Sequence, residues 1–412
     1  MIDTLRSDAD RITKAALEAC MPGPAVARAL AGAGFGGGKI VLVALGKAAW
    51  QMADAAEKAL GGRISGGVVV TKYGHSRGPI GNLEICEAGH PVPDGSSFAA
   101  TEKAIAAVSG LDAEDTVLLL ISGGGSALFE KPLVPPEELQ DITGQLLACG
   151  ADIVEMNTVR KRLSAVKGGR FAELCEPAKV FAVILSDIIG DPLDMIASGP
   201  ACPDRSTCAD AQEIAARYGL RLSGAARALL DRETPKSLPN VETRVTGSVR
   251  ALCAAAKAEC EALGYETQIL TTRMCCTARD AGSFLASMAL DRADAKKSVA
   301  FIAGGETVVK LTGRGKGGRN QELALAAAPG IAGLRDTAVF SVGSDGTDGP
   351  TDAAGGYVDG GTQAALLAKG LKVPDVLADN DAYHALQAVG GLVMTGPTGT
   401  NVNDFSALLI RR

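Results

Sequence analysis

The chain has 412 residues, of which 47% are hydrophobic and 21% charged. That supplies ample apolar mass for a core and excludes general disorder, and at roughly 150 residues per domain it predicts two or three domains. A net charge of −6 excludes nucleic acid as the main partner, because phosphate backbones need a basic face, yet it leaves small anionic substrates open.

In chain order, residues 1–20 carry charges throughout and read as a surface helix, not a signal peptide. Strand-like runs follow at 39–45 (KIVLVAL), 67–71, 116–122 (TVLLLIS), 179–186 (KVFAVILS), 266–271, 298–304, 306–312 (ETVVKLT) and 337–343 (TAVFSVG). Ala-rich helical runs, such as 48–60 and 249–264, lie between them. Nearly continuous β-branched runs alternating with helices predict parallel strands covered on both faces, hence a doubly wound α/β architecture. The polar segment 233–240 (ETPKSLPN), with two prolines, predicts a boundary between an N-terminal domain, 1–238, and a C-terminal α/β domain, 239–412. No apolar stretch approaches the ~18 residues a membrane helix needs, so no membrane partner is expected. Ten cysteines without a CxxC pair and only three histidines argue against zinc. The adjacent Cys275 and Cys276 suit a reducing, cytoplasmic compartment.

Chemistry concentrates in the glycine loops. After the strand at 116–121 comes ISGGGSAL, in which Ser122, Gly123, Gly124, Gly125 and Ser126 would expose backbone N–H groups as an anion cradle. A flexible strand-to-helix turn explains the same glycines equally well. No Walker A loop is present, since Lys39 is followed by Ile40 and precedes its strand. A GxGxxG pattern at Gly313, Gly315 and Gly318 carries Arg314, Lys316 and Arg319. Three cations at a helix start call for an anion among them, with a solvated basic turn as the plainer reading. Lys47 stands at the turn after the first strand, Asn157 and Arg160 in the basic run 157–170, and Asp187, Asp191 and Asp345 in acidic loops at strand ends. Acids there can bind Mg²⁺ or accept a proton, although helix capping is as good an explanation for any one of them.

ALGKAAWQMA, GHPVPDGSS, ISGGGSAL, EMNTVRKRLSAVKGGRFA, SDIIGDPLDMIASGP, GGETVVKLTGRGKGGRNQE, SVGSDGTDGPTDAAGG and TGPTGTNVNDF occur in this order over nearly the whole chain. Together they resemble the glycerate 2-kinases whose C-terminal region is the MOFRL domain, a family whose members often carry the label hydroxypyruvate reductase. The resemblance implies a Rossmann-like N-terminal domain and a second α/β domain with the active site in the cleft between them. It implies ATP-dependent phosphorylation of D-glycerate to 2-phospho-D-glycerate with Mg²⁺, and leaves room for a homodimer. It implies that Lys47 and Arg319 act at the phosphoryl group. Asp187 or Asp345 is the expected proton acceptor or metal holder, with Asp191 beside Asp187 as a metal ligand. The triplet with Ser122 and Ser126, together with Asn157, Arg160, Lys316 and Asp345, is expected to bind substrate or nucleotide. The alternative is an NAD(P)H-dependent reductase that places its pyrophosphate on the turn from Gly313 to Gly318. Where the family reads RKHLS, this chain reads RKRLS, with Arg162 replacing the histidine.

Overall fold

A computed structural model of the chain describes residues 4–412. It resolves into two compact units. The first holds residues 25–186 and 191–246; the second holds the described residues up to Pro24, 187–190 and 247–412.

The first unit is built on a six-stranded sheet in the order β3-β2-β1-β4-β5-β6. Its strands are β1 (Ile40–Leu45), β2 (Ile64–Lys72), β3 (Leu83–Ala88), β4 (Thr116–Ile121), β5 (Lys179–Leu185) and β6 (Val241–Gly247). The pairs from β3 through β5 are parallel. All six residues of β1 and of β4 are buried, which is why both read as unbroken apolar runs in sequence. Ala49, Met52, Ala53 and Ala56 of the helix Ala49–Leu60 are buried, and they pack with Leu42, Ala44 and Leu118 in one core.

The second unit has a mixed sheet, β11-β10-β9-β12-β8-β7. It comprises β7 (Glu266–Met274), β8 (Val299–Gly305), β9 (Thr337–Gly343), β10 (Gly355–Asp359), β11 (Leu392–Val393) and β12 (Asp404–Ile410). β12 lies between β8 and β9 and is antiparallel to both. Residues 306–312, expected as a strand, contribute only an isolated bridge at Val308.

The chain divides differently from a single cut at 238/239. Segment 233–240 is packed within the first unit: Thr234 and Leu238 are buried, and Asn240 donates to the carbonyls of Ala172 and Ala178. The helix Thr4–Cys20 belongs to the second unit. Its Leu5, Ala9, Ile12 and Ala16 join a core with Val249, Leu252 and Phe340. Its buried Asp8 accepts from Tyr265 at 2.6 Å and pairs with Arg411. No helix among the described residues is long and apolar enough to cross a membrane.

Candidate active site

In the first unit, sheet order turns in opposite directions from β1 and β4: β1 leads to β2 and β3, β4 to β5 and β6. Loops leaving the carboxyl ends of two such strands part and leave a crevice for ligands. The loops at that point are Gly46–Lys47 and Ser122–Ser126. They are laced together. Lys47 N–H donates to the Gly123 carbonyl at 2.9 Å, and Ala48 N–H to Ser122 Oγ at 3.0 Å. Gly46 (φ +115°) has no room for a side chain, since a Cβ there would lie 2.3 Å from Ser122 Oγ. Lys47 is exposed and, among the described residues, pairs with no carboxylate.

Gly124 is left-handed (φ +85°), and a Cβ on it would come within 3.0 Å of the His90 ring and 3.2 Å of Lys47 Cγ. The chain then enters the short helix Gly125–Leu128, whose N–H groups point back at the turn. The amides of Gly123, Gly124, Gly125 and Ser126 meet no acceptor among the described residues. A lysine beside a run of unclaimed amides can hold an anion.

The turn is braced from behind. Ser126 Oγ lies 3.0 Å from Ser198 Oγ, and Ser198 donates to Oδ1 of the buried Asn157 at 3.2 Å. Ala197 and Ser198 both have left-handed backbones (φ 51° and 59°). Such conformations cost on the order of 1–3 kcal/mol each and persist where the surroundings enforce them, often at functional sites. Lys167, fully buried, donates to the carbonyls of Ser126 (2.8 Å) and Phe129 (3.0 Å) and lies 3.2 Å from Glu130, which is also fully buried. Burial pulls the Lys167 ammonium below its ordinary range, Glu130 opposes that, and nearby Arg160 adds to it. Breaking such a pair leaves an uncompensated buried charge. Lys167→Met is therefore expected to lose about 3–5 kcal/mol of stability, and the double variant with Glu130→Gln to recover part of it, read by denaturant unfolding.

Asn157 is thus linked through Ser198 to Ser126, the residue that follows the triplet. Arg160 stands near it, with a buried Nε that has no acceptor among the described residues. Arg162, where the family pattern has histidine, is structural. It is fully buried, donates to the carbonyl of Thr158 and to Ser206, and pairs with Asp204 and Glu233.

In the second unit, the glycine loop before helix Arg319–Ala327 meets protein groups instead of an exogenous anion. Asn380 Oδ1 takes the amides of Thr312 and Gly313, Asp379 takes those of Arg314 and Gly315, and Asp381 takes that of Lys316. A Cβ on Gly313 or Gly315 would strike the backbone at 379–381. These glycines serve close chain packing, and with five successive amides engaged the loop has none of those free for a pyrophosphate. The Lys316 ammonium lies over the Tyr383 ring, 4.4 Å from its centroid.

Arg319 is gripped by Asp404, with contacts of 2.5 and 3.1 Å, and by Glu306 at 3.0 Å. Burial alone would lower its affinity for a proton, but the two carboxylates outweigh that and keep it firmly charged. Asp348 caps the same helix through the amides of Asn320 and Gln321 (3.1 and 2.9 Å), and burial raises its carboxyl to about 6. Arg319 faces a cleft of about 760 Å³ that is also lined by Val308, Leu311, Gly318 and Pro350.

Among the acids, Asp345 is engaged in its own turn, accepting from Thr347 N–H at 3.0 Å. Asp187 follows β5 in the segment Asp187–Gly190. Asp191 is left-handed (φ 53°), and its Oδ1 is buried without a hydrogen-bond partner among the described residues. No group of three or more His, Cys, Asp or Glu ligands assembles among the described residues. Sequence reasoning missed His90, although GHPVPDGSS carries it, because a lone histidine after an unrecognised strand gives no signal of what it will face. It also missed Glu306 and Asp404 as the partners of Arg319.

Residues 8–231 match a family described only as a domain of unknown function, DUF4147, and residues 299–404 match the MOFRL family. A D-glycerate 2-kinase of Thermotoga maritima is 51% identical over 99% of both chains. A protein of Agrobacterium vitis named putative hydroxypyruvate reductase is 43% identical over 90% of this chain and 87% of its own. The crystal structure of a Thermotoga maritima glycerate kinase superposes with a TM-score of 0.94 at 50% identity, covering 99% of this chain and all of that one. With both domain families in register and near-complete overlap with these relatives, the chain belongs to the DUF4147–MOFRL family that includes the D-glycerate 2-kinases.

Proposed function

We propose that the protein transfers the γ-phosphoryl group of ATP to the 2-hydroxyl of D-glycerate, releasing ADP and 2-phospho-D-glycerate. The observation that carries this reading is the unpaired Lys47 beside the unclaimed amides of Gly123 to Ser126, at the point where sheet order reverses. Phosphoryl transfer asks little covalent chemistry of a protein; positioning and charge stabilisation do most of the work. Lys47 and the amides supply donors for phosphate or carboxylate oxygens. Ser126, Ser198 and Asn157 hold those amides in place. Arg319, oriented by Asp404, supplies a second fixed cation. That Lys47 and Arg319 serve one phosphoryl group, in a cleft between the units, is part of the proposal.

Asp187 and Asp191 are the proposed Mg²⁺ ligands. The fit rests on the unpartnered Oδ1 of Asp191 and on the habit of Mg²⁺ to use one or two carboxylates with water and phosphate filling the rest. When bound, the ion neutralises nucleotide phosphate charge. A cytoplasmic location accords with ten free cysteines.

Purified protein given Mg·ATP should form ADP only when D-glycerate is present, and excess EDTA should abolish turnover. Glycerate-independent hydrolysis, undiminished activity in EDTA, or NADH oxidation with hydroxypyruvate in place of kinase activity would each count against the proposal.

A further inference from the structure

His90 lies in the turn between β3 and the helix Gly95–Val108. The turn is fixed by Asp94, which accepts from Ser97 N–H at 3.0 Å and from the Tyr73 hydroxyl at 2.8 Å. A Cβ on Gly89 would come within 2.9 Å of that same carboxylate, so the residue before the histidine is pressed against the cap. The ring is thereby aimed at the glycine triplet. A methyl on Gly124 would lie 3.0 Å from His90 Cδ2, 3.1 Å from Nε2 and 3.2 Å from Lys47 Cγ. The absence of a side chain at Gly124 therefore leaves one small space bordered by the imidazole edge, the lysine stem and the free amides.

The charged groups that act on the ring are Lys47 after β1, Lys72 at the end of β2 and His75 in the loop beyond it; two carboxylates of these loops, Asp94 and Glu87, are held by the backbone amides of Ser97 and Ser76. His75 Nδ1 is itself 3.0 Å from the Lys47 carbonyl. Among the described residues, Lys47, Lys72, His75 and His90 have no carboxylate within ion-pairing distance. Such a cluster draws an anionic substrate in and keeps the imidazole neutral, because a further positive charge there is unfavourable. Partial burial lowers the His90 pKa below 6.5, and the two lysines and His75 lower it further. Asp345 is tied into its own turn in the second unit, whereas the His90 ring borders the space beside Lys47 and Gly124 directly.

We propose that His90 is the general base of the phosphoryl transfer, its Nε2 accepting the proton of the attacking 2-hydroxyl. This rests on the kinase reading above. The O–H bond of glycerate breaks, its proton passes to Nε2, and the oxygen uses its electron pair to bond the γ-phosphorus of the nucleoside triphosphate. The bond from that phosphorus to the β,γ-bridging oxygen breaks, and its electrons leave on the diphosphate. The imidazolium then returns its proton to water. A base of this kind typically contributes about 10²–10⁴-fold to the rate.

Two variants and one spectroscopic measurement test the assignment. His90→Gln and His90→Asn keep a polar group but cannot take the proton. Each is expected to lower kcat by about 10²–10³-fold with the KM for D-glycerate within a few fold of the parent. In the parent enzyme kcat should fall as pH drops through the His90 pKa, below 6.5, because protonation removes the acceptor; in the variants that acid limb should flatten. Only three histidines exist in the chain, so ring NMR of the unliganded protein, assigned with the His75→Gln and His384→Gln variants, reads the same group without turnover. His90 should titrate below 6.5, and its ring signals should move on addition of D-glycerate alone. A His90→Gln enzyme with kcat within threefold of the parent overturns the proposal. So does a raised KM with unchanged kcat, which would make the ring a substrate-carboxylate ligand. His90 signals indifferent to D-glycerate overturn it even if neither variant folds. A parent enzyme that shows no glycerate-dependent ATP turnover overturns the kinase reading itself.

Discussion

Lys47→Ala is expected to lower kcat for phosphoryl transfer by about 10²–10⁴-fold, the scale of losing about 3–5 kcal/mol of transition-state charge stabilisation. Its fold should be intact. The side chain is exposed and unpaired among the described residues, and the bond that ties its residue to the triplet runs from its backbone N–H to the Gly123 carbonyl, which alanine retains. Steady-state kinetics beside a thermal melt check both halves. A melt within a degree or two of the parent, joined to a collapsed kcat, places Lys47 at the reacting group. A near-normal kcat makes it a bystander, whatever reaction the protein performs.

Arg319→Ala is expected to damage both activity and stability. Activity should fall by about 10²–10⁴-fold if Arg319 stabilises the moving phosphoryl group. Stability should fall as well, by about 1–3 kcal/mol, because Asp404 is buried and loses both of its contacts to the guanidinium. The estimate is held low because the Arg319 side chain is one-third exposed, 34%, so water can replace part of what is removed. Arg319→Lys restores the charge without the planar fork that matches Asp404. It should recover some stability and little activity. Parallel kcat and urea-unfolding measurements on the two variants separate the effects. Full activity in both variants would leave Arg319 a structural ion pair.

Much of the first unit was legible because its central strands are buried on both faces. β1, β4 and β5 read as continuous apolar runs, and their ends deliver Lys47, the glycine triplet and Asp187 to the loops beyond them. β3 and β6 were not legible. β3 has a buried residue only at each end, β6 only at its last position, and both carry charged residues, so neither offers an apolar run. The second unit was less transparent for a topological reason. β12, at the chain end, inserts antiparallel between β8 and β9, a pairing no local period encodes.

The glycine loop at 313–318 shows how composition can mislead. Its cations called for an anion, but the groups at 379–381 take the loop's backbone amides, and of the three cations only Arg319 meets carboxylates among the described residues, those of Asp404 and Glu306. Asp404 lies 85 residues from Arg319 in sequence, and only the fold brings such partners into range. Lys47 met the opposite outcome: its neighbours include glycines and free amides, and no acid among the described residues pairs with it.

The central claim is most directly tested by the product. Protein incubated with Mg·ATP and D-glycerate should yield a new phosphate monoester whose ³¹P resonance couples to the single C2 proton, identifying 2-phospho-D-glycerate, in amounts matching the ADP released. A phosphate coupled to the two C3 protons would contradict the proposed regiochemistry, and no glycerate-dependent phosphate ester at all would contradict the function.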